Sequence, residues 1–240
     1  VREIGKKIGL SDELVMRHPF PGPGLSINVL CNSGVLSSEE EREFARAEKK
    51  VTSIDFAALF PAIPVNSVKT SILPVKSVGV QGDFRTYRFP AVLSFSKDIP
   101  DWNLLEKASS YITNTVSDVN RTVITLWEKP HCSIQEGYCD KNALDQTREA
   151  DAVILEELKK SSWYKKIFQH LTIHTTYASQ EGHCSFILRP VVSEDVMTAR
   201  FAHLDWTVLN TIIERLKKLD YVDALFYDIT NKPPATFGWE

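Results

Sequence analysis

The apolar positions of this 240-residue chain change period along its length, and each change marks an element. In READAVILEELKKSS, Ala152, Val153, Leu155 and Leu158 recur at helical spacing, which predicts a helix from Thr147 to about Ser162. Leu209, Ile212, Ile213 and Leu216 share one face of a second predicted helix, Trp206 to Leu219, opened by Asp205 as its cap. Asp101 opens another in the same way, Trp102 to about Asp118. Residues 38–59 start charged and end apolar, and the acidic run near Glu39 suits a helix N-terminus. Residues 1–17 also read as helix, with Ser11 capping a second turn. The period drops to that of strands in SINVLC (26–31), Arg121 to Trp127, IFQHLTIHTTY, HCSFILRPVVS and Ala224 to Ile229. VKSVGVQGDFRTYRFPAVLSFS predicts two strands around a turn, with Gly79 and Gly82 permitting close backbone approach. Three prolines and two glycines in RHPFPGPGL (17–25) make a stiff, irregular crossing, and residues 128–145 read as an exposed loop.

Laid over one another, residues 85–130 and 183–233 show one order of elements: strand, acidic loop, Asp-Trp helix, apolar strand, then Lys-Pro. With the preceding segments included, helix, two strands, helix, strand occurs twice. The predicted fold class is α+β, two tandem repeats of a small unit with antiparallel sheet and helices packed on one face, an internal pseudo-dimer.

Composition narrows the class without naming a chemistry. The chain is 43% hydrophobic and 25% charged, ordinary for a globular protein, and its length fits one large domain or two small ones. A net charge of −3 gives no basic field for nucleic acid or an anionic membrane, and no apolar run approaches eighteen residues. A KH-like RNA module is disfavoured by that charge and by the missing GxxG loop. Four scattered cysteines suggest reduced thiols and a cytoplasmic protein. His131-Cys132 and Cys139 have no second pair to complete a zinc site, so no metal is expected. The first residue is Val1, so the chain is expected to be cut from something larger. The segment after the last strand, YDITNKPPATFGWE, holds Lys232 just past a strand end, where loop residues meet ligands. By pattern alone, a terminal strand with a stiff tail docked on the body is the commoner reading.

RHPFPGPGL, VGVQGDFRTY, MTARFAHLDW and YDITNKPPAT–WE, in that order, resemble the C-terminal region of the glutamine-hydrolysing GMP synthetases. The wide spacing of the segments resembles the longer, eukaryotic-type form with a duplicated dimerisation unit. The resemblance implies a ligase of purine biosynthesis that converts XMP to GMP. An ATP-pyrophosphatase domain activates the xanthine oxygen, and ammonia from a glutaminase domain displaces AMP. It also implies that this region binds XMP and dimerises, carries no catalytic residue and is inactive alone. ATP and Mg²⁺ would be used by the full-length enzyme, with no cofactor held here.

By domain the resemblance implies a hinge at 1–25, a first dimerisation-type subdomain at 26–130, a linker loop at 131–146, and a second subdomain at 147–240 that carries the XMP tail. Lys232, Thr236 and the backbone around Phe237 would grip the phosphate, Gln169 would read the purine or ribose, and Asp83 and Arg85 would make a further contact. Arg17, His18, Pro21 and Gly22 would line the nucleotide side of the hinge. Two positions depart from the pattern: Gly238 stands where the family has a glutamate contact, and Ala224 where it has an arginine that reaches the neighbouring subunit's site. The first repeat keeps Arg121 at the equivalent place. The expectation is one complete site, to which the first unit gives Asp83, Arg85 and Arg121 and the second Gln169, Lys232 and Thr236. Homodimer and monomer both remain open, as does a purely structural association module that has lost XMP.

Overall fold

The computed structural model describes residues 2–20, 22–63, 67–82, 84–96 and 99–240. After two short N-terminal helices, Arg2–Lys7 and Asp12–Val15, the chain makes the same unit twice. The first consists of α1 (Ser38–Thr52), β1 (Val68–Ile72), β2 (Ser77–Gln81), β3 (Phe84–Arg88), β4 (Ala91–Phe95), α2 (Trp102–Thr115) and β5 (Thr122–Glu128). The second consists of α3 (Lys141–Lys160), β6 (Gln169–Thr175), β7 (Cys184–Val192), α4 (Trp206–Leu216) and β8 (Val222–Asp228). β2 and β3 form a separate hairpin inserted into the first unit.

One sheet runs through both units in the order Val29–Leu30, β6, β7, β8, β5, β4, β1, with Arg200–Phe201 added beside β7. The two-repeat α+β class stands, but the sheet is mixed rather than antiparallel. β4 and β5 run parallel, as do β7 and β8. Each pair is joined across a helix, and a helical crossover returns the chain in the same direction. The units meet where β8 pairs antiparallel with β5: Asp228 lies opposite Val123 and Phe226 opposite Thr125. That reciprocal pairing places a pseudo-dyad between Tyr227 and Ile124.

Successive strand residues point to opposite faces. Phe186, Leu188, Leu225, Tyr227 and Ile124 face the helices, where they bury Leu105, Ile112, Ile154, Leu158, Leu209 and Ile212. Each such side chain withdrawn from water contributes ~1.5–3 kcal/mol. Trp102 and Trp206, the two Asp-Trp tryptophans, stack face to face across the pseudo-dyad, centroids 4.6 Å apart and planes at 5°. Val92, Val123, Ile187 and Phe226 face the other way, onto a smaller cluster closed by Trp239. The helices therefore cover one face and the C-terminal tail lies on the opposite one.

Some elements differ from expectation. α3 starts at Lys141, capped by Asp140, two turns before the predicted Thr147. Its first turns are packed by Ala143, Gln146 and Thr147, and the polar pair hides the stripe from a hydropathy reading. Residues 141–146 of the expected linker are thus helix. The first half of SINVLC closes a 3-10 turn, Gly24–Asn28, and strand is confined to Val29–Leu30. Asp101 caps α2 by accepting from the N–H groups of Asn103 and Leu104, whereas Asp205 accepts instead from Trp163 Nε1 at 2.9 Å.

Candidate functional site

The tail Asn231–Glu240 is laid across the pseudo-dyad and pinned mainly by residues of the first unit. Val78 and Val80 on β2 donate to the carbonyls of Trp239 (2.8 Å) and Pro234 (2.7 Å). Gly79 bridges to Ala235 between them. A Cβ at Gly79 would fall 2.7 Å from the Asn120 Cβ and 3.0 Å from the Pro234 oxygen, so glycine is required by close approach, as the sequence predicted. Gly82 earns its place differently, through a φ of +65° at the hairpin turn.

Beneath the tail lies a triad of fully buried charges, Arg121, Asp228 and Arg189. Arg121 Nη1 donates to Asp228 Oδ2 at 2.9 Å, and Arg189 Nη1 lies 3.1 Å from Asp228 Oδ1. The carboxylate also accepts from Trp239 Nε1 at 3.0 Å and from the Thr230 N–H at 2.9 Å. Burial pushes both guanidinium pKa values down, and the charge of Asp228 opposes that. Two cations and one anion leave a net positive charge in the interior, which is tolerable only with further acceptors. The tail provides them. Arg121 donates to the Thr236 hydroxyl (2.8 Å), to the Gly238 carbonyl, and to the Val78 carbonyl of the hairpin (3.0 Å). Arg189 donates to the carbonyls of Thr230 (2.8 Å), Thr236 (3.0 Å) and Phe237 (3.3 Å).

Arg121 therefore crosses from the first unit to the tail of the second, where it meets Thr236 and Gly238. Its position differs from a ligand contact: the side chain is wholly buried and its two Nη groups donate to protein oxygens, because the tail folds over it. Lys232 stays at the surface of the same tail. Its ammonium donates to the Val196 carbonyl at 2.6 Å and sits 4.6 Å over the Phe237 ring, and it forms no ion pair among the described residues. Phe237 in turn packs on Phe168, centroids 5.5 Å apart, at the entry to β6. Gln169, the next residue, is buried and donates to the Pro19 carbonyl at 2.8 Å, which ties the hinge to the sheet.

Arg17, His18, Pro19 and Phe20 form a wall with space on both sides. One side is an open depression of about 920 Å³ floored by Phe168, Ser193 and Glu194. The other is a cavity of about 720 Å³ reaching Asp151, Leu155, Tyr164 and His170. His18 stacks on Tyr164 at 3.8 Å and its Nε2 lies 2.7 Å from the Tyr164 carbonyl. Gly22 is exposed in a turn, and Arg85 is exposed on the outer strand of the hairpin. Asp83 and Pro21 lie outside the described residues. The surface thus gathered has a cation, Lys232, two aromatic rings and a polar backbone. Arg189 was not singled out from the sequence; in ILRPVV it is a lone charge in an apolar strand, and that anomaly was the available signal.

The pseudo-symmetric counterpart of this surface is different. By strand register Ala224 occupies the place of Arg121, Ser94 that of Arg189, Thr125 that of Asp228 and Lys129 that of Lys232. Ser94 and Thr125 share one hydrogen bond of 2.8 Å, and Ala224 is buried among apolar side chains. Lys129 is paired at 2.8 Å with the buried carboxylate of Asp223, which also binds His183 (3.0 Å) and Ser179 (2.7 Å). Burial would raise the Asp223 pKa, but Lys129, His183 and Ser179 outweigh it and hold it at about 2.

Similarity to other proteins agrees with this geometry. The family model described as GMP synthase C terminal domain matches residues 64–136 and 156–239, one segment in each unit. A probable GMP synthase [glutamine-hydrolyzing] of Leptospira interrogans is 35% identical over the whole chain, and a GMP synthase of Dictyostelium discoideum is 28% identical over 98% of it. The chain spans 38% of the length of each of these relatives. A GMP synthase of Prochlorococcus marinus is 41% identical but over 56% of the chain and 26% of its own length. With its two matched segments and a relative similar from end to end, the chain belongs to the family of GMP synthase C-terminal domains.

Proposed function

We propose that this chain forms the XMP-binding and dimerisation-type portion of a glutamine-hydrolysing GMP synthase. That enzyme amidates XMP to GMP with ATP and glutamine-derived ammonia. The observation that carries the reading is the contrast between two equivalent lysines: Lys129 is neutralised by a buried carboxylate, whereas Lys232 meets only a carbonyl and a ring among the described residues. A lysine held at a surface without a counter-ion, beside a bent backbone, suits a phosphate dianion. Lys232 and the tail around Thr236–Gly238 would take the phosphate, and Phe168, Gln169 and the hinge segment 17–22 would border the nucleoside. Arg85 of the hairpin, together with Asp83, would complete the first unit's share.

In this reading no residue of the chain performs the chemistry. ATP and Mg²⁺ act in the ATP-pyrophosphatase part of the same polypeptide and ammonia comes from a glutaminase part; this portion binds and orients XMP between them. Among the described residues no group of three or more His, Cys, Asp or Glu is placed to hold a metal ion. The chain is the longer form with a duplicated unit, and the internal pseudo-dimer replaces a homodimer interface, so a monomer is expected in sedimentation. Free thiols at Cys31, Cys132, Cys139 and Cys184 suit a cytoplasmic protein, and no described helix is long and apolar enough to cross a membrane.

Titrating XMP into the full-length protein and its Lys232→Ala variant tests the proposal. Tenfold or greater weakening is expected, the order of one charged hydrogen bond. A second reading, association alone, draws on Gly238, where the family glutamate is missing. It predicts no XMP binding to either protein.

A further inference from the structure

The orientation of the tail backbone is imposed from below. Three consecutive carbonyls, those of Thr236, Phe237 and Gly238, turn inward onto Arg121 and Arg189. Each belongs to a trans peptide unit. In such a unit the N–H points opposite to the C=O. The amides of Phe237, Gly238 and Trp239 are thereby turned away from the buried triad. None of the three donates a hydrogen bond among the described residues. The chain bends at Phe237 and Gly238, as a backbone nest for an anion requires, and Lys232 lies over the Phe237 ring at its margin.

From this we infer that Arg189 is a positioning residue for phosphate recognition: acting with Arg121, it turns the Thr236–Gly238 carbonyls inward so that the following three N–H groups form an outward nest for a phosphomonoester. Arg189 touches no ligand. Its guanidinium is suited to the task because one rigid fork reaches the carbonyls of Thr230, Thr236 and Phe237 together, which a single ammonium cannot do. Asp228 fixes both forks by giving one carboxylate oxygen to each arginine. The inference rests on the XMP reading and adds to it the part of the ligand that Arg189 serves.

The test compares XMP with xanthosine, which lacks the phosphate, by calorimetric titration of the full-length protein. Wild type is expected to bind XMP more tightly. Arg189→Lys keeps the charge and loses the fork; its XMP affinity is expected to fall on the order of tenfold to a hundredfold while xanthosine binding is unchanged. Gly238→Pro removes one outward N–H and leaves the triad intact, and the same selective loss is expected. A folded Arg189→Lys variant with the wild-type ratio of the two affinities overturns the inference. If that variant does not fold, Gly238→Pro decides alone, and an unchanged ratio overturns it equally. If wild type itself binds both ligands alike, the phosphate reading falls and this inference with it. A wild-type preference retained in both variants removes only the inference.

Discussion

Two halves of one sheet face, related by the same pseudo-dyad, hold opposite solutions to the same geometry. On one, Arg121, Arg189 and Asp228 are buried as a charged triad and roofed by the tail. On the other, the equivalent positions are Ala224, Ser94 and Thr125, and the equivalent lysine is absorbed by Asp223. A buried arginine is sustained only where carbonyls are delivered to it. The tail delivers them in one half alone. Tandem duplication makes this possible, because each position of the dyad is encoded separately and one copy can discard what the other keeps.

The largest effect is expected from forcing the charged solution onto the apolar half. Ala224→Arg places a guanidinium in the cluster of Leu30, Ile187 and Phe226, where the cross-strand carboxylate, Glu128, is already engaged by the Tyr177 hydroxyl. Denaturant titration should show a loss of about 3–5 kcal/mol or failure to fold. A variant as stable as wild type would mean that the apolar half accommodates a guanidinium without the carbonyls the tail supplies to the other. Next comes Asp228→Asn, which leaves two buried arginines facing each other. About 3 kcal/mol is expected to be lost, against under about 1.5 kcal/mol for Thr125→Val at the pseudo-symmetric position.

The two lysines should separate stability from ligand. Lys129→Ala is expected to lower stability by about 1–2 kcal/mol and leave XMP affinity unchanged, the reverse of Lys232→Ala. Acid provides an independent check. Asp223 is held at about 2, below the ordinary carboxylate value of 3.8, so its contribution is present above pH ~4 and lost as pH falls towards 2. The shift corresponds to roughly 2 kcal/mol. Urea midpoints measured between pH 5 and 2 should fall more steeply in wild type than in Lys129→Ala. The smallest effect belongs to Gly238→Glu. Nothing lies within 4 Å of a Cβ built there, so a stability change within about 0.5 kcal/mol is expected. A larger loss would show that the tail is closed where it is open in this structure.

Much of this was legible from pattern. The helices around Leu209 and Leu105, the hairpin turn and the repeat followed from period and from the Asp-Trp and Lys-Pro anchors. Gly79 was predicted from its need for close approach, and Arg121 from its place in the repeat. What the pattern could not carry was direction and depth. Whether β4 and β5 run parallel depends on the crossover between them, which hydropathy does not encode. Arg121 reads as a ligand group in sequence because charged residues are usually exposed; only the fold shows the tail closing over it. The role of Arg189 depends on carbonyls more than forty residues away in sequence, and the start of α3 was masked by a buried glutamine and threonine.

The paired indoles of Trp102 and Trp206 carry a consequence for observing all this. Two chromophores stacked nearly parallel at 4.6 Å couple their transitions, and each comes from a different unit. Their near-ultraviolet dichroism is therefore a native optical reporter of docking between the halves. It needs no label, and it responds to the seam of the molecule rather than to either side of it.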